Sequence, residues 1–418
     1  MNQTTTNKQN FFNMKLRNYQ IELSEKGCDI LSELGIVYFA MEVRTGKTLT
    51  ALNTAQLFGA KNVLFLTKKK AIGSIESDFE KFGFDFDLTV MNDESIHKLN
   101  DDFDLIIHDE HHRFGAFPKP GKATKQFKLS FSNRPMIFLS GTPHPESYSQ
   151  IFHQFWVSRF SPFKEFISFY KWANVFVNKK VKHLGHGTVN DYSEAKQDLI
   201  HPIVDKYFIR FTQKQAGFET NVIENILNVE MKPSTYKLCN QLKKDLVIEG
   251  KEEVILADTG VKLMQKLHQM FSGTVKFESG NRMVLDNSKI KFIKERFKNQ
   301  KIAIFYKFKA ELDMIKESFG DNVCQDVEEF NQSDKNIALQ IVSGREGVNL
   351  SSAKYLIYLN IDFSAVSYWQ SRDRLTTMER KSNDVFWIFA NRGIEAKIYA
   401  TVKKKKDFTL SVFKNVIC

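Results

Sequence analysis

Cysteine is scarce and scattered, with four in 418 residues, at Cys28, Cys239, Cys324 and Cys418, and no CxxC pair. That spacing argues against a zinc site or a disulfide framework and fits a reduced, intracellular protein. Apolar runs long enough to cross a bilayer are missing, so no membrane association is expected. The opening MNQTTTNKQN lacks the apolar core of a signal peptide, and residues 1–12 read as a disordered lead-in. Cytoplasmic localisation is therefore expected. Proline numbers only eight, and low-complexity sequence is confined to the lysines at 403–406.

What is present is an ordinary globular composition with a basic excess. Hydrophobic residues make up 42% of the chain, the net charge is +11 and the sequence pI is about 9.2. The length suggests two or three domains at about 100–200 residues each. The charge suggests an anionic partner, with nucleic acid ahead of a membrane surface.

Short β-rich apolar runs alternate with helical stretches. Runs at 36–40, 63–67, 105–108 and 136–140 read as buried parallel strands, and a second series follows at 302–306, 337–342, 355–359 and 385–389. Two such series predict an α/β fold of two lobes, each a parallel sheet with helices on both faces. The expected boundaries are 13–220, with a helical extension at about 146–220, and 221–418 with a C-terminal helix. The intervening segment, roughly 146–300, reads as helical and aromatic. Its phenylalanines Phe152, Phe155, Phe160, Phe163, Phe166 and Phe169 are expected to pack a core. The NKKVKHLGHG stretch at 178–187 reads as an exposed basic loop, with His183 and His186 solvated.

The first strand runs into Thr45-Gly46-Lys47-Thr48 and then a helix. Such a loop lets backbone N–H groups approach phosphate, with Lys47 reaching the terminal phosphates and the Thr48 hydroxyl on Mg²⁺. The usual pattern has glycine where Met41 stands, and small residues are usual where Arg44 stands. The strand at 105–108 ends in Asp109-Glu110-His111-His112. One carboxylate there can hold Mg²⁺ and the next can activate water, so Asp109 and Glu110 are assigned those roles. A third strand end, Ser140-Gly141-Thr142-Pro143, can sense the terminal phosphate.

Together these elements resemble superfamily 2 helicase-type ATPases with a DExH box, and within them the Swi/Snf-like group, short phage-encoded members above all. The resemblance runs from about Leu16 to about Tyr399. Leu16-Arg17-Asn18-Tyr19-Gln20 is similar to the adenine-reading segment, with Gln20 as the base contact. Ile304-Phe305-Tyr306-Lys307-Phe308 resembles motif IV. Ser343-Gly344-Arg345-Glu346-Gly347 opens a segment similar to motif V, and Gln370-Ser371-Arg372-Asp373-Arg374 resembles motif VI. Gly393 to Tyr399 is similar to the closing helix.

The resemblance implies two tandem RecA-like lobes with a helical insertion between them. ATP and Mg²⁺ would be held by Gln20, Thr45, Gly46, Lys47, Thr48, Gly347 and Gln370, with Asp109 and Thr48 on the metal. An arginine finger would come from Arg374 or Arg380, because Thr377 occupies the usual second arginine position. Lys68, Lys69, Ser343, Gly344 and Arg345 would hold a nucleic-acid backbone. The implied function is a nucleic-acid-stimulated ATPase that couples hydrolysis in the interlobe cleft to movement along DNA, as translocase or remodelling helicase. Double-stranded DNA is the implied partner, RNA is not excluded, a monomer is expected, and a protein partner would supply targeting. The alternatives are a strand-separating DNA or RNA helicase, and a nucleic-acid-binding scaffold with a degenerate ATP site.

Overall fold

The computed structural model describes residues 15–98, 102–145, 147–184, 187–219, 221–344, 348–377, 380–404, 409 and 412–413. The lead-in at 1–12 and His186 lie outside them. The chain divides into two compact units, Met1–Gly217 and Phe218–Cys418. Each is an α/β unit built on a six-stranded sheet whose strand pairs are all parallel. No helix among the described residues is long and apolar enough to cross a membrane.

In the first unit the strands lie in the order Asp87–Asn92, Asn62–Thr67, Leu105–His108, Met136–Leu139, Ile36–Met41 and Phe208–Phe211. The four central runs are apolar except at the ends Asn62, Thr67 and His108, because a parallel sheet is covered on both faces. Ile36, Tyr38, Leu64, Leu66, Ile106 and Phe138 point to one core. Their alternates Val37, Phe39, Val63, Phe65, Ile107 and Ile137 are buried on the other side. Helix Asn18–Leu34 approaches that second face closely. A Cβ on Gly27 would stand 2.5 Å from the Phe39 ring.

The aromatic segment packs as core. Phe152, Phe155, Phe163 and Phe169 are buried, and Phe160 and Phe166 pack against the same cluster. The segment at 178–187 is different from the expected loop. It forms an antiparallel hairpin, Lys180–Leu184 with Gly187–Asp191. Each strand carries one β-branched valine, Val181 and Val189, a residue type that favours extended backbone.

In the second unit the order is Val323–Cys324, Asn336–Gln340, Ile302–Tyr306, Tyr355–Tyr358, Ser382–Ala390 and Asn221–Val229. Successive residues of one strand feed two cores, Ala303 and Phe305 into one, Ile302, Ile304 and Tyr306 into the other. Helices Gly260–Phe271, Ala365–Ser371 and Glu395–Val402 fill the first face, and Ser288–Arg296 and Lys309–Phe319 fill the second. The run expected as a strand to Val342 stops at Gln340, where a short helix, Ile341–Gly344, begins. Two further hairpins, Val247–Glu249 with Val254–Leu256 and Thr274–Lys276 with Arg282–Val284, interrupt the stretch read as helical.

Two polar hubs tie the second unit together. Glu224, on the edge strand, accepts hydrogen bonds from the hydroxyls of Tyr368 and Tyr399 and from Trp387 Nε1, and pairs with Arg372 at 3.2 Å. Lys289 and Glu395 form an ion pair at 2.6 Å with both side chains fully buried.

Candidate nucleotide site

The first strand ends at Met41, whose side chain is fully buried, so the absence of glycine there leaves the loop unobstructed. The chain turns later, at Arg44 (φ 65°) and Gly46 (φ 80°). Left-handed backbone suits glycine, and Gly46 is also crowded. A Cβ there would lie 2.1 Å from Gln20 Nε2. Arg44 holds the same region of backbone space without that excuse, a strain of about 1–3 kcal/mol that the surroundings must support. Part of that support comes from the end of the unit. Gln213 donates its backbone N–H to Glu42 Oε2 at 2.7 Å and its amide to Val43 O at 2.9 Å.

Helix Lys47–Phe58 starts immediately after Gly46, so its N-terminal N–H groups and dipole face the loop. Thr48 lies in its first turn. Lys47 Nζ donates to Glu42 O at 3.4 Å, and buried Thr45 donates its hydroxyl to the same carbonyl at 2.7 Å. The 36–41 and 136–139 strands pair directly, which sets the Ser140 turn beside the loop. A Cβ on Gly141 would stand 3.8 Å from Lys47 Nζ and 3.5 Å from Met41 O.

The carboxylates arrive on the 105–108 strand, two strands away in the same sheet. Asp109 accepts from the Thr67 hydroxyl at 3.0 Å and from the Glu110 N–H at 2.9 Å. Burial first, and then the adjacent Glu110, push its carboxyl above the ordinary carboxylate range, while Lys47 opposes the shift. Glu110 sits at φ 49°, which a non-glycine residue adopts rarely. His112 Nδ1 is 3.2 Å from Glu110 Oε2 and 2.9 Å from Ser140 Oγ, and Ser140 Oγ accepts from the Thr142 N–H at 3.0 Å. The Thr142 hydroxyl is buried and has no hydrogen-bond partner among the described residues. A phosphate oxygen would satisfy it.

Behind the carboxylates is a buried polar layer. His111 stacks on Phe138 with ring centres 3.6 Å apart. Its Nε2 lies 2.8 Å from Gln154 O and its Nδ1 2.6 Å from His108 Nδ1. Burial, then His108, hold its pKa well below the ordinary histidine value. Gln154 donates to Pro143 O at 2.7 Å and accepts from the Tyr38 hydroxyl at 2.7 Å. Gln154 therefore bridges the carboxylate strand end and the Ser140 turn.

On the other side of the loop lies a cavity of about 350 Å³ lined by Lys15, Arg17, Gln20, Arg44, Gly46, Leu49 and Phe82. That size and mix of apolar wall and polar groups suit a small organic ligand. Gln20 is locked at both ends, accepting from Arg17 N–H at 2.9 Å and donating to Gly46 O at 3.3 Å. Tyr19 stacks on Phe211 and donates to Thr45 O at 3.1 Å. Spacing reached Gln20 but missed Lys15, Arg44, Leu49, Phe82 and Gln154. An arginine inside a phosphate loop was the available signal for Arg44.

Hard oxygen donors, one carboxylate and one hydroxyl beside the Gly46–Lys47 loop, fit Mg²⁺. Among the described residues no group of three or more His, Cys, Asp and Glu side chains could hold a metal alone. A Mg²⁺ at Thr48 and Asp109 would complete its shell with phosphate oxygens and water, which is its usual habit.

Of the residues expected to contact a polymer in this unit, Lys68 is half-buried and Lys69 is exposed at the start of a short turn of helix, Lys69–Ala71. In the second unit Ser343 is half-buried, and Gly344 is fixed by packing, since a Cβ would meet the Phe305 ring at 2.3 Å. Arg345 and Gly347 lie outside the described residues. Gln370 is buried on helix Ala365–Ser371, and its carbonyl accepts from Arg374 Nε at 3.0 Å. Arg374 follows in the turn Arg372–Leu375 and is itself buried. Arg380 donates to the carbonyls of Ser351, Ala353, Lys354 and Ser382. Its neighbour Arg372 is held by Glu224 and lies over the Trp369 ring at 4.1 Å.

No family model matches the chain, and no curated protein matches it in sequence. Solved structures similar to it include the Sulfolobus solfataricus SWI2/SNF2 ATPase core in complex with dsDNA, at 16% identity over 97% of this chain and 93% of that one, with a TM-score of 0.43. The SWI2/SNF2 ATPase core domain from the same organism is similar at 16% identity over 100% of this chain and 94% of that one, with a TM-score of 0.42. At such identity and overlap, the role of each residue rests on the geometry given above.

Proposed function

We propose that the chain is a nucleic-acid-stimulated ATPase that moves along DNA. The observation that carries this reading is one constellation in one unit. A left-handed glycine and Lys47 open a helix beside a cavity, and two adjacent carboxylates end a strand two places away in the same sheet. The base occupies the cavity at Gln20, and the phosphates lie on the N–H groups at Gly46 and Lys47. The Lys47 ammonium holds the terminal phosphates. Thr48 and Asp109 hold Mg²⁺, which when bound neutralises phosphate charge. Glu110 orients the attacking water and takes its proton, with His112 linking it to the Ser140–Thr142 turn. Arg374 is the better candidate for the finger, since Arg380 already serves four backbone carbonyls.

Lys68, Lys69, Ser343, Gly344 and Arg345 contact the polymer backbone, so sequence preference is weak and salt dependence strong. Turnover measured against a panel of single- and double-stranded DNA and RNA is expected to rise most with double-stranded DNA. A rate unmoved by any nucleic acid would exclude the motor and leave an unstimulated ATPase.

A further inference from the structure

Basic charge in the first unit is concentrated around residues 119–134, to which no role has yet been assigned. Residues 111–145 carry six lysines and arginines and no aspartate or glutamate, in a chain whose net charge is +11. Arg113 and Arg134 in this stretch are taken up by Asp93 and Asp102. Lys128 lies over the Trp156 ring at 3.6 Å. Lys119, Lys122 and Lys125 are exposed and have no carboxylate partner among the described residues. Arg159, also exposed, borders the far end of the same helix, donating its N–H to Ser132 O at 2.9 Å.

The placement works against local stability. Lys122 opens helix Lys122–Phe131 and Lys125 stands one turn in, with no acidic residue in the first turn. The positive end of a helix repels cations there. The dipole and the lysines add to one positive field, which a polyanion would relieve. Lys122 and Lys125 are three apart and so neighbours on the helix surface, with Lys119 just upstream.

We propose that Lys119, Lys122 and Lys125 form a further phosphate-binding surface for duplex DNA, additional to Lys68 and Lys69. The proposal rests on the reading of the chain as a DNA-dependent ATPase for its choice of polyanion. The surface touches phosphate oxygens only, so it adds affinity without sequence preference.

The test compares the full chain with a triple variant, Lys119→Gln, Lys122→Gln and Lys125→Gln. A control triple, Lys237→Gln, Lys291→Gln and Lys298→Gln, removes the same charge from exposed positions in the second unit. Binding of a short fluorescent DNA duplex is followed across a salt series, and thermal unfolding shows that each variant is folded. Neutralising the first set is expected to weaken binding about tenfold or more and to lower the salt slope by about 2–3, at roughly 0.9 for each phosphate that the protein no longer neutralises. The control triple is expected to leave the slope near that of the wild type. An unchanged slope in the first triple, or equal losses in both triples, overturns the proposal. A wild type that hydrolyses ATP but binds no duplex overturns this surface and the DNA motor, and leaves only ATP hydrolysis at Lys47 and Glu110. One that binds duplex through these lysines without turning over ATP keeps this surface and overturns the ATPase reading.

Discussion

Glu110→Gln is expected to lower ATP turnover by about 10²–10⁴-fold while ATP binding is retained. The amide keeps the shape of the side chain, so the backbone at φ 49° and the approach to His112 need not change. What is lost is the capacity to take the proton of the attacking water. Each tenfold corresponds to about 1.36 kcal/mol of barrier, so the expected loss is roughly 3–5 kcal/mol. Lys47 and Thr48 are untouched, which is why affinity for ATP should stay close to that of the wild type. Phosphate release and equilibrium nucleotide titration, run on the same preparation, separate the two effects. A rate loss below tenfold would mean that Glu110 is not the base.

Lys289→Ala is expected to destabilise the second unit by about 3–5 kcal/mol, because it leaves Glu395 charged in a fully buried site. Lys289 lies on helix Ser288–Arg296 and Glu395 on the last described helix, Glu395–Val402, so the pair ties the two together. Glu395 Oε1 also accepts from the Ala390 N–H at 3.3 Å, so the end of the 382–390 strand loses an anchor if the carboxylate turns away. With about 2–4 °C of melting temperature per kcal/mol for a unit of this size, the fall should be about 6–20 °C. The double variant Lys289→Met, Glu395→Leu removes both charges together and should recover much of the loss. A single variant that melts within about 2 °C of the wild type would show the pair to be dispensable.

The sequence announced the central strands and hid the edges, for one physical reason. The central strands have largely apolar interiors because both faces are covered, and runs such as Ile302–Tyr306 stand out unaided. Asn221–Val229 is a nine-residue strand whose side chains are mostly exposed or half-exposed, so asparagine and glutamate interrupt its pattern. Val323–Cys324 is only two residues long, and exposed Arg210 interrupts the apolar run of Phe208–Phe211. The Gly46–Lys47 loop and the Asp109–Glu110 pair stand out because each is a contiguous run at a strand end. The Glu224 hub does not, since its hydrogen-bond partners lie 144 to 175 residues away in the chain. Gln154 was hidden for the same reason, 116 residues from Tyr38. Arg380 shows the limit of spacing from the other side. Its position suggests a finger, and its hydrogen bonds to four backbone carbonyls could not be read from spacing.

The proposed function stands on ATP binding and hydrolysis at the loop around Lys47. Its most direct test is steady-state phosphate release from saturating Mg·ATP by wild type and Lys47→Ala, both shown to be folded. Turnover by the wild type and background release by the variant are the expected results. Equal release from the two proteins, or none from the wild type with duplex DNA present, would contradict the claim.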